Sequence, residues 1–248
     1  MENSIQFVPV GDCGVLAVCG DAINEAVNAR VMALDRAVQD ARLPGVTETV
    51  PTYAALLVCY DPLQTDPDTL TPALQRLAGE LTRAQNPAAA GRLVEVPVCY
   101  GGAYGPDLAF VARHAGMTEQ QVIAAHCGRD YRIFMLGFLP GFPYLGGLDE
   151  RLNTPRLAQP RVSIPAGSVG IAGSQTGVYP IASPGGWQLI GRTPVRMYDP
   201  HRAVPILPKA GQYIHFYPID QAEYDRIAAL EAGEGYTCRC HAREEGAQ

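Results

Sequence analysis

Lysine is nearly missing from this chain: of 19 basic side chains only Lys209 is a lysine. A phosphate loop of the G-x-x-x-x-G-K-[ST] type is therefore excluded, and Schiff-base chemistry would rest on one residue in a "PKAG" turn. No G-x-S-x-G elbow and no H-E-x-x-H helix occurs either. No apolar run approaches the roughly 20 residues that span a bilayer. The opening "MENSIQFVPVGDCG" carries Glu2 and no basic segment ahead of an apolar run, so no secretory signal is expected. The expectation is a soluble, cytoplasmic protein.

Cysteine is present but does not form a framework. The seven residues, at 13, 19, 59, 99, 127, 238 and 240, are odd in number and lie mostly in apolar strand-like runs, which suits reduced, buried thiols. "CRCH" at 238–241 is the exception. Cys238, Cys240 and His241 lack the second ligand pair of a zinc site, so a solvated tail is expected and no metal site. The adjacent acids Asp149 and Glu150 read as a solvated turn rather than a Mg²⁺ site.

What is present is a globular composition: 248 residues, 47% hydrophobic and 18% charged. The net charge of −6 argues against nucleic-acid binding. It is unevenly spread, since residues 129–215 carry eight arginines and Lys209 against Asp130, Asp149, Glu150 and Asp199. A basic island in an acidic chain fits either a small anionic ligand or arginines on solvated strand faces.

The first ninety residues alternate strand and helix signals. "SIQFVPV" and "CGVLAVCG" flank a turn at Gly11–Asp12. Asp21 is placed to cap a helix whose apolar face is Ile23, Val27, Val31, Leu34 and Val38. "VTETV" and "YAALLVCY" follow. Asp66 and Pro67 then open a second helix with Leu70, Leu74, Leu77 and Leu81 on one face. With "RLVEVPVCYGG" extended, the β-α-β-β-α-β succession predicts a ferredoxin-like sandwich with an extra leading strand. The break at "NPAAAG" sets domains at 1–90 and 91–248. Beyond it, Thr118 and Gln121 form a capping-box pattern, "GQYIHFYPI" reads as the final strand, and "DQAEYDRIAALEA" as a terminal helix. Glycine and proline make up roughly a third of residues 137–194, and short apolar runs between such turns signal a closed β-barrel or sandwich.

Those turn-rich stretches are either barrel corners with Trp187 in the core or the walls of a candidate site. "PAGSVGIAGSQTG" supplies glycines whose amides approach a ligand closely, with Ser168, Ser174, Gln175 and Thr176 as extra donors. "SPGGWQLIGRTP" adds Ser183, the sole tryptophan Trp187, and Arg192 as a cation. His126, at a helix end before "CGRDYR", is the candidate general acid or base.

The run "HCGRDYRIFMLGFLPGFPYLGGLD", the run "PRLAQPRVSIPAGSVGIAGSQTGVYPIASPGGWQLIGRTP" and the closing "GQYIHFYPI" resemble the family of 5-oxoprolinase B subunits, also known as the sporulation-kinase-inhibitor or allophanate-hydrolase-subunit-1 family. The resemblance implies an α+β chain with an N-terminal ferredoxin-like domain and a cyclophilin-like β-barrel. It implies the C and A subunits of 5-oxoprolinase as partners and ATP-dependent opening of 5-oxoproline to L-glutamate. The chain would be inactive alone, with ATP and Mg²⁺ shared with a partner. On that reading His126 and Arg192 are catalytic candidates. Arg161, Gly167, Ser168, Gly173, Gln175, Thr176, Tyr179 and Trp187 would bind the anionic substrate. The alternatives it implies are a histidine-kinase-inhibiting module, gripping its partner through the aromatic groove of "FPYLGG" and Trp187, or a urea carboxylase-like subunit. One departure from the family is Gln212 after Gly211, where an aspartate is usual.

Overall fold

The computed structural model describes residues 5–21, 24–83, 91–233 and 236–243. It divides into two compact units, Met1–Ala89 and Ala90–Gln248. The boundary expected at "NPAAAG" falls almost wholly outside the described residues.

In the first unit, strands β1 (Gln6–Val10) and β2 (Gly14–Val18) form a hairpin around Gly11, whose φ of +58 suits a glycine. Helix α1 (Glu25–Ala41) is capped by Asn24, whose Oδ1 accepts the Val27 N–H at 2.8 Å. The cap expected at Asp21 is thus three residues early. Strands β3 (Val46–Pro51) and β4 (Ala55–Tyr60) follow, then α2 (Pro67–Arg83), opened by Asp66, which accepts from Thr69 N–H. Alternation puts Val15 and Ala17 of β2 and Leu56, Val58 and Tyr60 of β4 on one face. Val31, Leu34 and Val38 of α1 and Leu70, Leu74 and Leu77 of α2 close over them as a core.

The sheet order is β1-β2-β4-β3, antiparallel throughout. This corrects the sequence expectation in one respect. The strand after α2 does not return to this sheet; the leading strand β1 occupies the edge beside β2. The reason lies in "RLVEVPVCY" itself. It is buried along nearly its whole length, as befits the centre of a larger sheet rather than an edge.

That segment is β5 (Arg92–Tyr100), the first strand of a closed seven-stranded barrel. The others are β6 (Asp130–Leu136), β7 (Pro143–Gly146), β9 (Ser168–Ala172), β10 (Gln175–Val178), β12 (Gln188–Arg192) and β13 (Tyr213–Ile219). The order β12-β9-β10-β7-β6-β13-β5 closes where β5 pairs with β12 at Tyr100 and Cys99. β5 and β13 run parallel. Val96, Val98, Ile133, Val169, Ile171, Ile190, Ile214 and Phe216 fill the interior, as a small barrel requires. Helices α3 (Leu108–Ala115) and α4 (Glu119–Cys127) cover one part, and the Thr118–Gln121 capping box forms with both of its bonds.

Outside the barrel, β8 (Arg161–Ile164) and β11 (Ser183–Gly185) make a two-stranded ribbon. Helix α5 (Gln221–Ala232) follows the barrel's last strand. The solvated tail is a further correction: Cys240–Ala242 forms β14, paired with the start of β5, and Cys238 is buried. An apolar alternation around Cys238 and Cys240 lets the chain add a strand there instead of trailing in water.

Candidate functional site

The residues proposed from the sequence do not converge on one anion cavity. β9 and β10 form a hairpin with Ala172 paired to Gln175 and Val178 to Val169. Gly167 and Ser168 lie at its open end beside Arg192, which pairs with Ser168, while Gly173 and Gln175 lie at its tip. About 3.3 Å of rise per residue separates the two ends by the length of a strand. Gly167 serves packing: at φ +81 a side chain would meet the Thr193 carbonyl at 2.2 Å. Ser168 Oγ donates to Pro165 O at 2.8 Å. Arg192 is partly exposed, and its Nε donates to Ala166 O at 2.7 Å.

Arg161 is committed elsewhere. Its Nη2 reaches both oxygens of Asp107 at 2.8 and 2.9 Å, and its Nη1 donates to Trp187 O at 3.3 Å. Asp107 also accepts the Leu189 N–H at 2.6 Å. This ion pair latches the loop after β5 onto β12. Its charge is paired within the protein, with Asp107.

His126 is 0% exposed. Its Nε2 lies 2.8 Å from Thr176 Oγ1 and its Nδ1 2.8 Å from Tyr100 Oη, and its ring stacks on Phe216 at 4.8 Å. Thr176 donates its own hydroxyl to Gly170 O. Its oxygen therefore accepts from His126 Nε2–H, leaving Nδ1 to accept from Tyr100. Burial lowers the imidazole from 6.5 to about 3. His126 and Thr176 thus lie in the core, with both ring nitrogens of His126 engaged.

The remaining two residues, Tyr179 and Trp187, do come together, and they do so with the other aromatic stretch. Phe142, at the start of β7, has the rings of Phe138, Tyr144, Tyr179 and Trp187 around it at centroid distances of 5.2–5.6 Å, all edge-to-face. Such T-shaped contacts suit the quadrupoles of the rings. The rings line a cleft of about 290 Å³ that also takes in Arg156, Pro160, Pro184, Gly185 and Gly186. Trp187 is 6% exposed and Tyr179 1%. Gly185 has no room for a side chain, because a Cβ would sit 2.5 Å from Tyr179 Oη. The glycines of "SPGGW" thus keep the cleft open.

Phe138 stands at its lip, 62% exposed, with φ at +63. Leu139 N–H donates to Gly137 O at 2.7 Å, closing a γ-turn of the strained, positive-φ kind. A bulky residue held in that conformation is costly and occurs where a site over-determines it. Burial pushes the Tyr179 phenol up to about 12, with Arg156 and Arg161 pulling the other way. Arg156, exposed, has no carboxylate within ion-pair distance among the described residues. Phe138, Arg156 and Asp107 escaped the sequence reading. An exposed arginine has no periodicity to betray it, and the positive φ of Phe138 leaves no compositional mark.

Comparison with known proteins gives the lineage. Residues 5–208 match the family described as carboxyltransferase domain, subdomain C and D. The chain is 40% identical over 232 residues to the B subunit of 5-oxoprolinase from Bacillus subtilis (strain 168), covering 90% of this chain and 97% of that protein. It is 43% identical over 210 residues to the 5-oxoprolinase B subunit of Escherichia coli O157:H7, covering 84% and 94%. Among solved structures, TTHA0988 superposes with a TM-score of 0.74 at 39% identity, over 84% of this chain and 40% of that one. The urea amidolyase of Kluyveromyces lactis superposes with a TM-score of 0.77 at 19% identity over 96% of this chain, a likeness of fold alone. The chain spans less than half of TTHA0988 and 16% of the urea amidolyase. With a match over most of its length and relatives of almost its own size, the chain belongs to the carboxyltransferase subdomain C and D family, alongside the 5-oxoprolinase B subunits.

Proposed function

We propose that this chain is the B subunit of an ATP-dependent 5-oxoprolinase, which opens 5-oxoproline to L-glutamate together with the A and C subunits. The observation that carries this reading is 40% identity running through 97% of the length of the Bacillus subtilis relative. The urea carboxylase relative is more distant, at 28% identity over 16% of its length.

The chemistry explains why partners are needed. A five-membered lactam is a poor electrophile, and coupling its opening to ATP demands positioning and charge stabilisation of a transferring phosphoryl group. The aromatic cleft, at about 290 Å³, lies at the small end of ligand sites, about 300–1,000 Å³. Among the described residues no group of three or more His, Cys, Asp or Glu side chains is placed to hold a metal ion. ATP and its Mg²⁺ are assigned to a site shared with the partner subunits. The architecture that goes with this reading is a ferredoxin-like sheet entered one strand early, followed by a cyclophilin-like barrel. No described helix is long and apolar enough to cross a membrane. The complex is assigned to the cytoplasm, whose reducing conditions suit the free cysteine thiols.

Reconstitution tests it. The purified chain alone, given 5-oxoproline and ATP, is expected to release negligible glutamate, and to gain turnover when the A and C subunits are added. A complete mixture that leaves 5-oxoproline intact would refute the reading.

A further inference from the structure

We propose that the aromatic cleft around Phe142 is where this chain holds the carboxylated lactam, the carboxylate on Arg156, the ring carbonyl on the Tyr179 hydroxyl, and the methylene edge against Trp187 and Phe142. The identity of the ligand rests on the proposed 5-oxoprolinase role; its chemical class rests on the cleft.

Three features select that class. The walls are aromatic rings with glycine and proline at the rim, so the recognised part is compact and apolar. The Tyr179 hydroxyl is a buried polar group that makes no hydrogen bond to another side chain among the described residues, its neighbour being the Trp187 backbone N–H. A phenol kept protonated by burial donates, so the group it meets is an acceptor such as an amide carbonyl. Arg156 supplies a charge with no carboxylate partner within ion-pair distance among the described residues, at the exposed end of the cleft. A guanidinium in that state calls for a carboxylate.

The same features exclude the other ligand that an aromatic cage suggests. Cations bind over ring faces, but here two guanidiniums, of Arg156 and Arg161, act on Tyr179. Only one of them is neutralised, by Asp107. An incoming ammonium would meet net positive charge.

The single tryptophan makes the test direct, because Trp187 lines the cleft and no other indole contributes emission. Titrating the intact chain with 5-oxoproline is expected to change Trp187 emission saturably. 2-Pyrrolidinone, the same ring without the carboxylate, is expected to bind at least about tenfold more weakly, the loss of one charge-assisted contact. Arg156→Gln, an exposed change that leaves the fold intact, should weaken 5-oxoproline by about tenfold and leave 2-pyrrolidinone unaffected. Tyr179→Phe should weaken both. No response to millimolar 5-oxoproline, equal affinity for the two rings, or an unaltered affinity in Arg156→Gln would each overturn the proposal. An active reconstituted complex with a silent titration would sink this site while leaving the functional assignment standing. An inactive complex whose B chain binds the acid would do the reverse.

Discussion

His126 shows how a residue type that signals catalysis becomes architecture. The chain of donors Cys127 Sγ–H to Tyr100, Tyr100 to His126, His126 to Thr176 and Thr176 to Gly170 O ties α4 to β5, β10 and β9 with every polar atom satisfied. The folded imidazole, lowered to about 3, refuses a proton that the unfolded chain accepts below about 6.5. Its contribution is therefore present above pH 6.5 and lost as pH falls, by about 1.4 kcal/mol per unit. Denaturant titrations at pH 7 and pH 5 should differ by on the order of 2 kcal/mol from this group. His126→Phe should flatten that difference. It should also lower stability at pH 7 by about 2 kcal/mol, because Tyr100 loses its acceptor. Gly185 makes the complementary point about space. Gly185→Ala places a methyl 2.5 Å from Tyr179 Oη and 2.7 Å from Ile164 Cδ1. It should cost about 1–3 kcal/mol in thermal unfolding.

Between elements, the decisive contact is the ion pair of Asp107 and Arg161. Asp107 sits just before α3, Arg161 opens β8, and the Leu189 amide that Asp107 also holds is in β12. One carboxylate thus ties three elements and, through Arg161 to Trp187 O, sets the floor of the cleft. Asp107→Asn leaves a half-buried guanidinium without its counter-ion and should destabilise by about 2 kcal/mol. The double variant with Arg161→Gln should cost less than the sum of the singles by about 1 kcal/mol or more in denaturant unfolding. Additive losses would show that the two groups act independently. β9 belongs to this scale too. Val169 and Ile171 enter the barrel while Gly170 and Ala172 lie on the other face, Gly170 beneath Trp187 and Ala172 in the aromatic cluster. That double burial is why the stretch reads as featureless apolar sequence.

Over the whole molecule, closure decides what the basic island can do. Its arginines are distributed around the barrel and its flanks. Arg129 and Arg151 share Asp149, holding that carboxyl down to about 2. Arg196 and Arg202 take Asp199 and Glu231. Arg161 takes Asp107. Five of the island's nine basic side chains thus meet acids in space, and two of those acids, Asp107 and Glu231, come from outside the island. What remains at the cleft is Arg156.

Local signals were legible wherever a short-range rule governs the outcome. Helical spacing placed α1 and α2. Asp66 and the Thr118–Gln121 box bonded as their positions implied, and density of glycine and proline announced a barrel. These depend on neighbours three or four residues away, which the sequence states directly. Which sheet receives "RLVEVPVCY", which arginine is left without an acid, and which aromatic rings meet across 45 residues from Phe142 to Trp187 depend on pairings between distant segments. Tertiary structure alone settled them, because burial and charge neutralisation are set by partners in space, and two strand pairings, β5 on β12 and β5 on β13, decide where those partners fall.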